Sequence, residues 1–225
     1  MNNIFERSIG LLGEYNFNYI QDKVIAVFGL GGVGGTALEA LARTGFKNFI
    51  LIDFDIVDAS NINRQILYTK GDIGRTKVDA ARDRVHAIND FTNISIFKMK
   101  AQEFDFNQKI DFIVDAIDDV EGKLYILKKA QELNIPSIMS LGMANRFDPS
   151  LVKIAKLNQT HSDPLAKKIR YLAKQEGLDL SKISVIFSEE LPQKNGEKLY
   201  STMMVPSSAG LSIAKYILEF IINTK

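Results

Sequence analysis

The sequence predicts an α/β fold, an open and mostly parallel sheet with helices on both faces and a C-terminal α+β extension. Three observations carry that reading. Short apolar, β-branched runs recur along the chain, amphipathic helical stretches separate them, and the first run stops on a cluster of glycines. Strands buried on both faces read as continuous apolar runs, and strand–helix alternation implies parallel pairing. Residues 23–28 (KVIAVF) are the first such run, 29–35 the glycine turn, 36–44 a helix and 48–53 (NFILID) the second strand. A long amphipathic helix over 74–89 sets Val78, Ala81, Val85 and Ile88 on one side. Further strands are expected over 94–97, 112–115 and 137–141, with a helix over 120–133 ended by Asn134 and Pro136.

After Gly142 the rhythm changes. A turn over 145–149 precedes a strand over 151–155, and Asp163 with Pro164 reads as the N-cap and first turn of a helix running to Gly177. A strand over 183–187, a polar loop over 193–198 and a final amphipathic helix over 209–222 complete the chain. With no internal repeat, one domain over 1–225 is the simpler organisation, with 145–225 as a substrate-side extension.

Composition excludes several functions. Lys plus Arg number 28 against 27 Asp plus Glu, a net charge of +1, so any nucleic-acid surface must be local. Without cysteine there is no disulfide, zinc ribbon or thioester-forming nucleophile in this chain. No stretch is expected to reach transmembrane length, and residues 1–9 carry charges where a secretion signal needs an apolar run. The expectation is a cytoplasmic protein with no membrane partner.

The chemistry starts at Gly29-Leu30-Gly31-Gly32-Val33-Gly34. Bare backbone lets a helix N-terminus approach phosphate, and Asp53 at the end of the second strand suits ribose hydroxyls. An NAD enzyme would begin the same way. The following residues favour ATP. Asp53-Phe54-Asp55 is followed by Asn61, Arg64 and Gln65, then Lys77 and, a strand later, Asp115-Ala116-Ile117-Asp118-Asp119. A triphosphate wants cations, and Mg²⁺ wants a carboxylate beside phosphate oxygens.

In this order the elements resemble the ThiF-type adenylation domain of the ubiquitin-activating-enzyme superfamily: GxGGxG, DxD, N-x-x-R-Q, a lysine on the next helix and an acid after the fourth strand. The resemblance implies a Rossmann-like ATP site of Gly29, Gly31, Gly32, Gly34, Asp53, Asp55, Asn61, Arg64, Gln65, Lys77 and Asp118. Asp53 would bind ribose, Asn61, Arg64 and Lys77 the phosphates, and Asp118 the Mg²⁺. Arg64, Lys77 and Asp118 would serve catalysis together with Arg7, reaching across a homodimer. Phe5-Glu6-Arg7 resembles the segment that enters the opposite active site in this superfamily.

The absent cysteines depart from the thioester-forming and zinc-containing members. Residues 141–149, 160–166 and 206–211 instead look like the tRNA threonylcarbamoyladenosine dehydratase branch, which implies ATP-dependent cyclisation of a modified adenosine beside the tRNA anticodon. A sulfur-transfer protein is a further partner open to that branch. On the helix opened by Asp163, Lys167, Lys168, Arg170 and Lys174 fall outside the apolar stripe, with Tyr171 able to stack on a base. That face also reads as an ordinary solvated one. The alternative function is adenylation of the C-terminal glycine of a ubiquitin-like sulfur carrier; a nucleotide-binding regulator or NAD protein is a third. Tyr125 and Lys129 match the YxxxK spacing of short-chain dehydrogenases by chance, and His86 and His161 are read as structural or incidental.

Overall fold

A computed structural model describes residues 4–193 and 198–224; most of the expected polar loop at 193–198 therefore lies outside the described residues. Seven strands form one sheet in the order β3-β2-β1-β4-β5-β7-β6. β1 (Val24–Phe28), β2 (Asn48–Ile52), β3 (Asn93–Phe97), β4 (Phe112–Asp115) and β5 (Ser137–Ser140) run parallel, as does β7 (Ser184–Ser188). Among the described residues, the edge strand β6 (Val152–Lys156) is the one antiparallel strand of the sheet. The C-terminal strands thus extend the same sheet.

Alternation along the strands divides the core between two faces. Val27, Leu51, Phe112 and Val114 face α3 (Gly32–Thr44), α4 (Lys77–Ile88) and α7 (Met204–Asn223). Phe28, Ile50, Ile52 and Ile113 face α5 (Val120–Glu132) and the Phe104–Phe106 aromatic cluster. A third cluster joins Met139 and Val185 to α6 (Pro164–Gln175) through Ala166, Ile169 and Ala173.

Several boundaries differ from the sequence expectation. α3 starts at Gly32 because the glycines themselves form its first turn: a Cβ on Gly34 would lie 1.9 Å from the Gly29 carbonyl oxygen. α4 starts at Lys77, where the Thr76 hydroxyl accepts from Asp79 N–H; Gly74 lies outside it at φ +90°. Two N-terminal helices, α1 (Glu6–Leu12) and α2 (Glu14–Gln21), carry too short an apolar pattern to be read in sequence, and Phe17 and Ile20 of α2 enter the core.

α7 corrects the expectation about length. It begins at residue 204, five residues before the predicted start, because Pro206 falls in the first turn where its missing N–H costs nothing. At 20 residues with a mean hydropathy of 1.3 it is long and apolar enough to cross a membrane, but half of that window is buried inside the fold. A Cβ on Gly210 would come within 2.5 Å of the Val33 carbonyl oxygen, so α7 packs backbone-close on α3. Its Lys215–Glu219 pair at 2.7 Å marks the solvated edge.

Candidate nucleotide site

The glycine turn is assembled by three contacts between distant parts of the chain. Gly29, at φ +86°, lies against Ala116 and Ile117, so close that a Cβ would meet the Ala116 carbonyl at 2.7 Å. Gly32 sits under Pro206, with 3.0 Å available to a Cβ. The Tyr68 hydroxyl donates to the Leu30 carbonyl at 3.0 Å. These contacts bring the loop carrying Asp118, the start of α7 and the segment after Gln65 together at the carboxyl end of the sheet, where open α/β sheets bind ligands.

The N-cap of α3 is Gly31, which offers no side-chain hydrogen bond, so the first-turn N–H groups have no capping side chain. Beside them Gln65 is buried, and its Oε1 has no hydrogen-bond partner. Buried polar atoms are normally satisfied, so a turn of uncapped N–H groups with an orphaned amide oxygen fits a polar ligand such as a nucleotide.

Asp53 is buried at the end of β2. Its Oδ2 accepts from Leu30 N–H at 2.7 Å and its Oδ1 from Asp55 N–H at 2.8 Å. Burial pushes its carboxyl above the usual range, against the opposing pull of Lys77 and these two N–H donors. Lys77, buried at the N-terminus of α4, pairs with Asp55 at 2.6 Å. This pair leaves Asp55 half exposed and holds the ammonium beside Asp53.

Asn61 accepts from Asp58 N–H at 3.1 Å and Arg64 donates to Ser60 O at 2.6 Å, so the N-x-x-R-Q segment is a self-braced turn. Asp118 is exposed, whereas neighbouring Asp119 caps α5 by accepting from Gly122 N–H at 2.8 Å. No cluster of three or more metal-ligating side chains occurs among the described residues.

Sequence reasoning missed the Lys123–Asp115 pair. Lys123 is fully buried on α5 and donates to Asp115 at 2.8 Å and to Ser140 O at 2.7 Å, pinning the carboxyl ends of β4 and β5 together. Burial raises the Asp115 carboxyl, opposed by that ammonium. A lysine outside any motif gave no signal in the sequence.

The other predicted residues separate by position. Arg7 is exposed on α1. On α6, Lys167, Lys168 and Lys174 are exposed, while Arg170 is half-buried and spends Nη1 on the Thr160 carbonyl at 2.9 Å. Arg170 therefore braces the start of α6. Tyr171 is exposed. Tyr125 donates to Phe104 O and Lys129 pairs with Glu132, so neither resembles a catalytic dyad. His86 is exposed on α4, and His161 bonds Ser162.

A glycine-turned, uncapped helix, a buried acid at the next strand end and a lysine paired beneath it define a nucleotide-binding α/β protein. The chain belongs to the ThiF family, whose sequence profile matches residues 5–223. It is 36% identical over 192 residues to the tRNA threonylcarbamoyladenosine dehydratase of Bacillus subtilis, covering 84% of this chain and 75% of that protein. The Escherichia coli protein of that name is 32% identical over 170 residues, 74% of this chain and 63% of that one. The crystal structure of the E. coli dehydratase with ATP matches with a TM-score of 0.91 at 28% identity, covering 97% of this chain and 93% of that chain. Its complex with AMP matches with the same TM-score.

Proposed function

We propose that this chain is an ATP-dependent dehydratase that cyclises threonylcarbamoyladenosine in tRNA. The observation that carries the reading is the uncapped glycine turn with orphaned Gln65 beside Asp53 and Lys77, in a fold shared with a dehydratase solved with both ATP and AMP. In the reaction, a threonine carboxylate oxygen bonds to the α-phosphorus and the bond to pyrophosphate breaks. The carbamoyl group then attacks the acyl carbon, loses a proton and expels AMP, so the RNA loses one water. Arg64 and Lys77 supply positive charge to the phosphates, and Asp118 would hold Mg²⁺, which neutralises phosphate charge. Residues 1–225 act as one adenylating unit, with 145–225 on the substrate side.

The test is product analysis with ATP, Mg²⁺ and tRNA from a strain lacking this activity. AMP and pyrophosphate are expected, formed only with the threonylcarbamoylated tRNA, together with a modified nucleoside lighter by one water. ADP and phosphate would refute adenylation. Adenylation that needs a ubiquitin-like carrier and ignores tRNA would establish the alternative.

Exposed Lys167, Lys168 and Lys174 are the phosphate contacts of α6. Replacing all three by Ala should weaken tRNA binding and lower the slope of log affinity against log salt by about 2 to 3, at roughly 0.7–0.9 per phosphate contact. An unchanged slope in a salt titration would return α6 to a solvated face. Arg7 is read as acting on the ATP of a partner copy in a homodimer.

A further inference from the structure

Residues 145–148 after β5, with 190–191 and 199–201 after β7, carry an apolar crest on hydrogen-bonded backbone whose side chains are exposed. Phe147 and Tyr200 are 55% and 54% exposed. Leu191 and Leu199, both after β7, are exposed as well. Large rings left in water are unfavourable, and clustered ones mark a binding surface.

The backbone beneath them is held at several points. Asn145 N–H donates to Tyr200 O at 2.7 Å, and Tyr200 N–H donates to Asn145 Oδ1 at 2.7 Å. Two residues on, the Glu190 carboxylate accepts from Phe147 N–H and Asp148 N–H, both at 2.9 Å. Both rings are thus displayed from hydrogen-bonded backbone, Tyr200 held by Asn145 and Phe147 by Glu190.

The crest is also tied to the two charged parts of the site. Asn63 Nδ2 donates to Ser201 O at 2.9 Å, one residue from Arg64 and one from Tyr200. On the other side, Arg146 pairs with Asp163 at 3.3 Å, both buried, and Asp163 caps the helix bearing Lys167, Lys168 and Lys174. The rings, the nucleotide loop and the lysine helix therefore form one connected frame.

We propose that Phe147 and Tyr200 are a stacking platform for unpaired RNA bases flanking the modified adenosine, an inference that rests on the tRNA reading above. A base offers a π-face whatever its sequence, and its phosphate requires nearby cations. An exposed ring on a fixed backbone binds such a face without ordering its own loop, and the lysine helix supplies the complementary charge. The threonylcarbamoyl group is thereby carried toward the Arg64 side of the crest.

The test uses an anticodon stem-loop with 2-aminopurine beside the target adenosine. Wild-type protein should quench its fluorescence by stacking. Phe147→Ala and Tyr200→Ala should each weaken binding about 5- to 150-fold, the worth of one base–aromatic stack, and reduce the quench. Phe147→Tyr and Tyr200→Phe should retain both. The salt slope should stay that of wild type, unlike in the lysine variants. Affinity and quench within twofold of wild type in both alanine variants would overturn the platform while leaving the tRNA reading intact. Dissociation of an oligomer with RNA affinity unchanged would assign the crest to contact between copies and also overturn it. A wild-type protein that binds no stem-loop would strike the tRNA reading itself.

Discussion

Replacing Asp118 by Asn is expected to lower turnover roughly 100- to 1,000-fold while tRNA affinity stays within about twofold, as when one transition-state electrostatic group is removed. The reason lies in what Asp118 does and does not touch. It is exposed on the loop after β4, which is anchored by Ala116 and Ile117 against Gly29, while Asp119 does the capping of α5. Asn is nearly isosteric, so the fold should survive while the negative charge is lost. Turnover should fall without a matching rise in the KM for tRNA, since charge neutralisation at the phosphates serves the chemical step. Wild-type turnover in Asp118→Asn at saturating Mg²⁺ would remove the residue from the site. The same position tests the homodimer reading. Asp118→Ala and Arg7→Ala should each be inactive alone and regain activity after subunit exchange, because a mixed dimer contains one intact site. A confirmed mixed dimer that stays inactive would show that Arg7 does not act across an interface.

Gly34→Ala is expected to cost about 3 kcal/mol of stability, at the upper end of the usual range for overpacking. A differential scanning measurement should show the Tm lower by about 6–12 °C, at roughly 2–4 °C per kcal/mol for a domain of this size. The added methyl would sit 1.9 Å from the Gly29 carbonyl oxygen and 3.0 Å from the Ala116 Cβ. Neither neighbour is a flexible side-chain end. Relief requires the first turn of α3 to move away from the strand, which displaces the uncapped N–H groups and should also weaken ATP binding. A variant with unchanged Tm and ATP affinity would mean that the turn relaxes freely and that this packing is not what aims α3.

The sequence by itself determined the parallel sheet, the glycine turn and the acid at the end of β2. Each is a local pattern: an apolar run, a required backbone freedom, a residue type at a strand end. β4 was legible to the residue because Asp111 precedes its apolar run and Asp115 closes it. Tertiary structure alone decided how closely α7 packs on α3, because Pro206 over Gly32 and Gly210 against Val33 are contacts between distant segments. It also separated lysines of identical type. Lys123 is buried against Asp115 and Ser140, Lys77 pairs with Asp55, and Lys167 remains in solvent. Composition cannot separate these roles, because a lysine's function follows from the dielectric and the partner that the completed fold places around its ammonium.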